Sequence, residues 1–367
     1  MFALRILITN RSLATRSGTE VYVRDLALAL AAAGHAPMVY TPEPGAVAAE
    51  IAAAGVPVYD RLDDDLPTPD VVHGQHTVPT LAALRRFPRA PGLYVCHDRT
   101  FREDAPAVLP RLYRHVAVDD NCRERVLLAG VPPARVRVVF NAVDLRRFAP
   151  RAPLPARPRR AAIFSNYAAA DTQLPAVQAA CAALGLPLDV IGAAAGRASR
   201  APEAELGRYD VVFAKARCAL EAMAVGCAVV LCDFGGLGAM VTRSEAPRLR
   251  RWNFGARVLD RPLQPRLIAA EVARYDAADA TAVSRWVRET AGLETCVAEL
   301  VALYREAIET HRAAPPVSAR REARTAARAL RAAGLPSPWR AGLARVPLVG
   351  GMLLGLKRAL DGLPPLD

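Results

Sequence analysis

Lys215, Arg217 and Glu221 crowd into one short stretch of DVVFAKARCALEAMAVGCAVVLCDFGGLG, residues 210–238. The spacing predicts an apolar strand over 210–214, a basic connection at 215–217 and a short buried helix over 218–225. Gly226 stands where a helix ends in the left-handed conformation. A second apolar strand follows over 227–232, then a glycine-rich loop over 233–238. Strands this apolar belong to a parallel sheet covered on both faces. Such sheets bind ligands beyond the carboxyl ends of their strands, where Lys215, Arg217 and the start of the helix are expected. A helix amino end with unpaired N–H groups and two neighbouring cations suits a phosphate. Glu221, one turn further in, is placed to accept hydrogen bonds from sugar hydroxyls. In a chain that otherwise uses arginine, Lys215 is one of only two lysines, which points to a compact point charge.

The elements that would position these residues run through the whole chain. Before residue 150, short apolar strands are read at 4–9, 37–40, 56–59, 70–73, 92–96, 116–118 and 136–140. Helices are read at 21–33, 47–54, 80–87 and 121–129. This alternation is that of a doubly wound α/β domain. PRAPLPARPRR at 150–160 lacks a hydrophobic period and reads as a linker. The alternation restarts with strands at 161–165, 188–192 and 257–260, and helices at 172–184, 264–275, 279–290 and 293–311. The expected division is therefore 1–149, a linker at 150–160, a second domain at 161–312, and a basic, partly apolar tail at 313–367. Within the tail, 317–333 reads as a basic helix. The apolar segment 347–360, too short to span a bilayer, suits an interface.

The 367 residues are enough for two domains of ordinary size. No uncharged apolar run reaches the roughly 18 residues of a membrane span. MFALRILITNRS reads as a strand and a polar loop rather than a signal peptide. Seven cysteines without paired spacing indicate neither a zinc site nor a disulfide framework, and a reducing cytoplasm is the simplest setting. The net charge is +12. Residues 314–367 hold nine Lys or Arg against three Asp or Glu, a net of +6, half of the excess. Aromatic residues make up 6% of the chain and are not interleaved with the basic ones, which argues against nucleic acid and leaves phosphorylated ligands or an anionic membrane surface.

Over residues 4 to 310 the chain resembles the family 4 glycosyltransferases of the GT-B fold. Five segments carry the resemblance. They are SGTEVYVRDLA at 17–27, DVVHGQH at 70–76, His97-Asp98 at a strand end, VRVVFNAVDLRRF at 136–148 and ALEAMAVGCAVVLCDFGGLGAMV at 219–241. The resemblance implies an α/β fold of two facing Rossmann-like, doubly wound domains with an interdomain cleft. It also implies a retaining transfer of sugar from a nucleotide-sugar donor. Two departures stand out. The first of the family's two glutamates would fall at Phe213, which accepts no hydrogen bond. The family's Arg and Lys pair early in the second domain is replaced by Ser165-Asn166-Tyr167.

In this reading Lys215 and Arg217 hold the diphosphate and Glu221 the ribose hydroxyls. Gly18 permits close approach of donor or acceptor, and His97 contacts the transferring sugar. Gly235, Gly236 and Leu237 present backbone N–H groups. Lys215 and His97 are the catalytic candidates. His73 and His76 read as structural, Asn141 and Asp144 as turn residues, and Asp63-Asp64-Asp65 as a solvated turn. Neither a metal nor a cofactor is expected, the nucleotide-sugar being a substrate, since cations and helix N–H groups can stabilise the leaving diphosphate. The expected acceptor is a cell-envelope glycan, a lipid-linked acceptor or a small molecule, with the tail docking a cytoplasmic protein on anionic lipid. Two other readings are a nucleotide-sugar epimerase and a degenerate GT-B protein serving as a binding or scaffold partner.

Overall fold

The computed structural model describes residues 2–63 and 65–333. Expectations for Asp64, for the segment 347–360 and for Lys357 lie outside the described residues. The described residues divide into two compact units, one of residues up to Val139 together with Val297 to Ala333, the other Phe140–Cys296.

In the first unit the chain runs β1 (Arg5–Thr9), β2 (Ser12–Leu13), α1 (Gly18–Ala32), β3 (Ala36–Tyr40), β4 (Glu43–Pro44), α2 (Ala46–Ala53), β5 (Val58–Tyr59) and β6 (Val71–Gly74). It continues through α3 (Thr77–Arg86), β7 (Gly92–Cys96), β8 (Leu112–Ala117), α4 (Asp120–Leu128) and β9 (Val136–Val138). Seven strands form one sheet in the order β5-β3-β1-β6-β7-β8-β9, and every pairing in it is parallel. Ile6, Leu7, Ile8, Val71, Val72 and Leu93 are wholly buried, as strands covered on both faces must be. The strand order reverses between β1 and β6, so the crevice of this sheet opens at the carboxyl ends of those two strands.

The second unit holds β10 (Ala161–Phe164), α5 (Leu174–Ala183), β11 (Leu188–Ile191), α6 (Pro202–Glu205), β12 (Val211–Ala214), α7 (Ala216–Val225), β13 (Ala228–Asp233) and β14 (Gly236–Met240). Then come α8 (Ala246–Arg250), α9 (Pro265–Val272), α10 (Ala277–Thr290) and the start of α11 (Leu293–Ala313). Its sheet runs β11-β10-β12-β13-β14. Val212 and Ala214 of β12 point into one apolar cluster, Val211 and Phe213 into the other. Strand alternation therefore buries both faces. Here the order reverses between β10 and β12.

The division differs from the expected boundaries, for reasons of packing. Residues 140–149 pack on the second unit, where the Val143 N–H donates to the Ala291 carbonyl at 2.9 Å and Phe148 is buried. The expected linker is tied down there too. Arg151 pairs with Asp210 at 2.9 Å, the Arg159 N–H donates to Asp210 at 2.8 Å, and Leu154 is buried. The later part of α11 belongs to the first unit, where Tyr304 lies 2.7 Å from His73 and Arg114 bonds Glu306 at 2.8 Å. The basic helix expected over 317–333 forms as α12 (Ala319–Ala332), capped by Ser318, whose hydroxyl accepts the Arg321 N–H. α12 is pinned to this unit by an ion pair between Glu322 and the buried Arg111. The strand expected over 257–260 is instead a single 3₁₀ turn, Ala256–Val258. No helix among the described residues is long and apolar enough to cross a membrane.

Candidate functional site

The second unit's candidate site is built on α7. Its apolar positions face the core, and Gly226 ends it at φ 106°. At the other end Lys215 is the N-cap, in extended conformation and without a side-chain cap. Ala216 is held at φ 49°, unusual for a residue with a side chain. Its N–H donates to the Phe254 carbonyl at 2.8 Å, and Asn253 and Phe254 are themselves at φ 52°. Such a chain of sparsely populated conformations persists only where packing over-determines it, and it concentrates at functional sites.

Both expected cations carry a carboxylate of their own. The Lys215 ammonium pairs with Asp233, which is wholly buried at the end of β13 and also accepts the Ser165 hydroxyl at 3.2 Å. Arg217 Nε donates to Glu221 Oε1 at 2.8 Å, one turn along α7, and Glu221 is buried. The structure thus brings Lys215, Arg217 and Glu221 to one sheet edge as two internal ion pairs rather than as free charges. Phe213 is buried inside the sheet and offers no polar group there.

The glycine-rich segment is not the open loop that was expected. It is a hairpin in which β14 pairs antiparallel with β13, Gly236 opposite Asp233. Gly236 is at φ 143°, and a Cβ there would meet the Leu259 and Arg261 carbonyl oxygens at 2.9 Å, so only glycine fits. The Leu237 N–H is already used, donating to the Arg261 carbonyl at 2.8 Å, and Leu237 is buried. Leu237 therefore has no N–H to present, which corrects the expectation for it. A Cβ at Gly235, as at Gly18 on the first turn of α1, would meet nothing within 4 Å.

The first unit's candidate site lies at the carboxyl ends of β1, β6 and β7. His97 follows β7, with its backbone N–H and that of Asp98 both donating to Asp104 Oδ2 at 2.5 Å. The Tyr22 ring meets the His97 ring edge-on, centroids 4.5 Å apart. Burial holds the His97 pKa well below its ordinary value and lowers His73 to about 3 and His76 to about 4, the last helped by Arg11. All three rings are neutral at pH 7. Burial also lifts Asp104 to about 7, against the pull of the two N–H groups and Arg125. His76, at φ 57°, is a further strained residue, and its Nδ1 accepts the Arg11 N–H at 3.2 Å.

Several buried polar atoms here have no hydrogen-bond partner among the described residues. They are His97 Nε2, His73 Nε2, Asn10 Oδ1, Asp104 Oδ1 and both amide atoms of Gln75. Native proteins rarely leave such groups unmet, and water or a ligand is the usual answer. Sequence reasoning found His97 but missed Asn10, Tyr22, Gln75 and Asp104. In the second unit it missed Ser165, Tyr167, Asp233 and Phe234. For Asn10, Gln75, Ser165, Tyr167 and Phe234 the readable signal was position, since each lies just past the end of a strand in a parallel run.

Residues 16–147 match the family described as Glycosyltransferase Family 4. No curated protein matches the chain in sequence. Among solved structures, HepE of Anabaena in complex with UDP and glucose is 14% identical, covering 83% of this chain and 100% of its own at a TM-score of 0.60. Sucrose-phosphate synthase of Thermosynechococcus elongatus is 14% identical, covering 84% and 100% at a TM-score of 0.56. A glycosyltransferase of Rickettsia africae is 12% identical, covering 83% and 99% at a TM-score of 0.59. The chain thus has the GT-B fold, and its residues 16–147 are similar to Glycosyltransferase Family 4. Family match and fold together support a role in glycosyl transfer.

Proposed function

We propose that the protein is a retaining glycosyltransferase that uses a nucleotide-diphosphate-sugar and needs no metal or cofactor. The observation that carries this reading is the amino end of α7, uncapped and led by the strained Ala216, at the reversal point of the second sheet. It is built like an anion site. The bond from the sugar to the diphosphate breaks, and the diphosphate leaves with the electron pair. The acceptor oxygen bonds to the same face of the sugar and gives its proton to the departing phosphate oxygen. Helix N–H groups, with Arg217, stabilise the leaving charge. Glu221 takes the ribose hydroxyls by exchanging part of its bond to Arg217. Gly18 and Gly235 leave room for substrate, and Gly236 shapes the hairpin. His97, neutral and with Nε2 unmet, contacts the transferring sugar.

The neighbours bound to UDP and UDP-glucose support a nucleotide-sugar donor. A cell-envelope glycan, a lipid-linked acceptor or a small molecule would receive the sugar. Arg320, Arg324, Arg328 and Arg331 of α12 would hold a cytoplasmic protein against anionic lipid. A panel of nucleoside diphosphates in a thermal-shift assay tests the donor site, because a bound ligand stabilises by mass action. One of them should raise Tm in the wild type and not in Glu221→Ala. A scaffold would respond to none. An epimerase would convert a nucleotide-sugar in the absence of any acceptor.

A further inference from the structure

Tyr167 and Phe234 are among the few large apolar side chains left exposed, at 55% and 54%. They come from different loops, one after β10 and one after β13, yet their rings meet edge-on with centroids 5.5 Å apart. The Lys215 ammonium sits against both, 4.7 Å from the Phe234 centroid and 5.7 Å from that of Tyr167. Asp233 fixes the ammonium from below, and Ser165 fixes Asp233. β10 and β12, whose carboxyl ends carry Tyr167 and Lys215, flank the point where the strand order reverses, the usual ligand crevice of an open α/β sheet.

Exposing two aromatic faces costs solvation free energy unless something covers them. The covering group has to match an apolar surface and a nearby hydrogen-bond donor whose charge is already balanced. A phosphate gains little from an ammonium that Asp233 neutralises. A pyranose ring fits better. One face of it presents C–H groups to aromatic rings, and its rim of hydroxyls accepts from the lysine.

We propose that Tyr167, Phe234 and Lys215 form a platform for the hexose ring of the donor, with Asp233 as the positioning residue that holds Lys215 in place. This rests on the donor reading above and adds which residues recognise the sugar. The diphosphate is then left to the amino end of α7 and Arg217.

Calorimetric titration of the full chain tests it, using UDP, GDP, ADP, CDP and dTDP and the glucose conjugate of each. For the preferred base, the conjugate should bind more tightly than the bare diphosphate. Tyr167→Ala and Phe234→Ala should each reduce that preference about 3- to 10-fold, the range expected for one lost aromatic contact. The bare diphosphate should change by less than about twofold. Both side chains are exposed, so neither substitution threatens the fold. Equal weakening of diphosphate and conjugate would mean that the rings serve the base, and would overturn the platform. So would an unchanged preference, or none in the wild type. If no diphosphate binds the wild type, the donor reading falls and takes the platform with it.

Discussion

The carboxyl edges of the two sheets handle polarity in opposite ways. At the edge of the first sheet, neutral histidines, an asparagine and a glutamine are buried with hydrogen-bonding atoms unmet. At the edge of the second, Lys215 is matched by Asp233 and Arg217 by Glu221. The first edge therefore holds uncharged buried groups with capacity to spare. The second is charged but internally balanced, and its attraction for an anion rests largely on the backbone of α7. Under the proposed reading the two arrangements would suit different halves of a transfer reaction. A neutral, unsatisfied pocket favours hydroxyls, whose hydrogen bonds replace those lost to water. A strained helix amino end favours a diphosphate.

The largest expected effect breaks the first edge. His97→Ala should lower kcat/KM for sugar transfer about 10³-fold, the range for a group acting at the reacting centre. The urea midpoint should move little, since His97 Nε2 has no hydrogen-bond partner among the described residues. Turnover of the donor picked out by the nucleotide panel gives the measurement. A loss below about tenfold would place the chemistry elsewhere.

Next in size is an asymmetry within the second edge. Lys215→Ala strips the carboxylate of Asp233, 1% exposed, of its cation and leaves it the Ser165 hydroxyl. It should cost about 3 kcal/mol, as for a buried charge stripped of its partner. Asp233→Ala leaves an ammonium that is 26% exposed and can be hydrated, so about 1 kcal/mol is expected. Urea unfolding of both variants and of the double variant checks the order, and the double should be more stable than Lys215→Ala alone. Equal single costs would show that the pair is not buried in solution.

The sequence makes much of this fold legible and little of its charge pairing. Apolar runs such as 211–214 and 228–232 announce buried parallel strands because both faces must be covered. Gly226 announces a helix end because its conformation excludes other residues, and α12 follows from its periodicity. The ion pair between Lys215 and Asp233 is invisible because it depends on how two neighbouring strands end. The hairpin at β14 is hidden for a similar reason. Glycines read as loop, yet Gly236 is required by the approach of carbonyls from Leu259 and Arg261. α11 reads as one amphipathic helix, and nothing local says that Tyr304 packs beside His73. The missing Arg and Lys at 165–167 read as a loss, although Ser165 and Tyr167 surround the lysine that the sequence singled out.

A third effect separates the edges by pH. His73 and His76 at the first edge, and His115 inside β8, have folded pKa values of about 3, 4 and 4, all lowered chiefly by burial. The unfolded chain, near 6.5, binds protons first, so stability falls as pH drops from about 6.5 toward 4. Asp104, raised to about 7, acts the other way, since its folded form binds the proton first between about 4 and 7. Three histidines outweigh one aspartate. Tm should drop by about 5 °C between pH 7 and pH 5, measured by calorimetry. His76→Asn, which tolerates the positive φ, should make the slope shallower.

The smallest effect is the most discriminating. Both amide atoms of Gln75 are buried without a hydrogen-bond partner among the described residues, so the fold gains little from them. Gln75→Met keeps the shape and removes the unmet groups, and such exchanges are nearly neutral or stabilising. A change in stability within about 1 kcal/mol of zero is expected. Ser165→Ala on the second edge should instead destabilise by about 1 kcal/mol, because its hydroxyl bonds Asp233 at 3.2 Å. Chemical denaturation of the two variants side by side compares the edges directly. If Gln75→Met cost as much as Ser165→Ala, water held by the fold would already satisfy the glutamine, and the spare capacity assigned to the first edge would not exist. If it costs nothing but raises KM for the acceptor, the amide is reserved for a substrate hydroxyl.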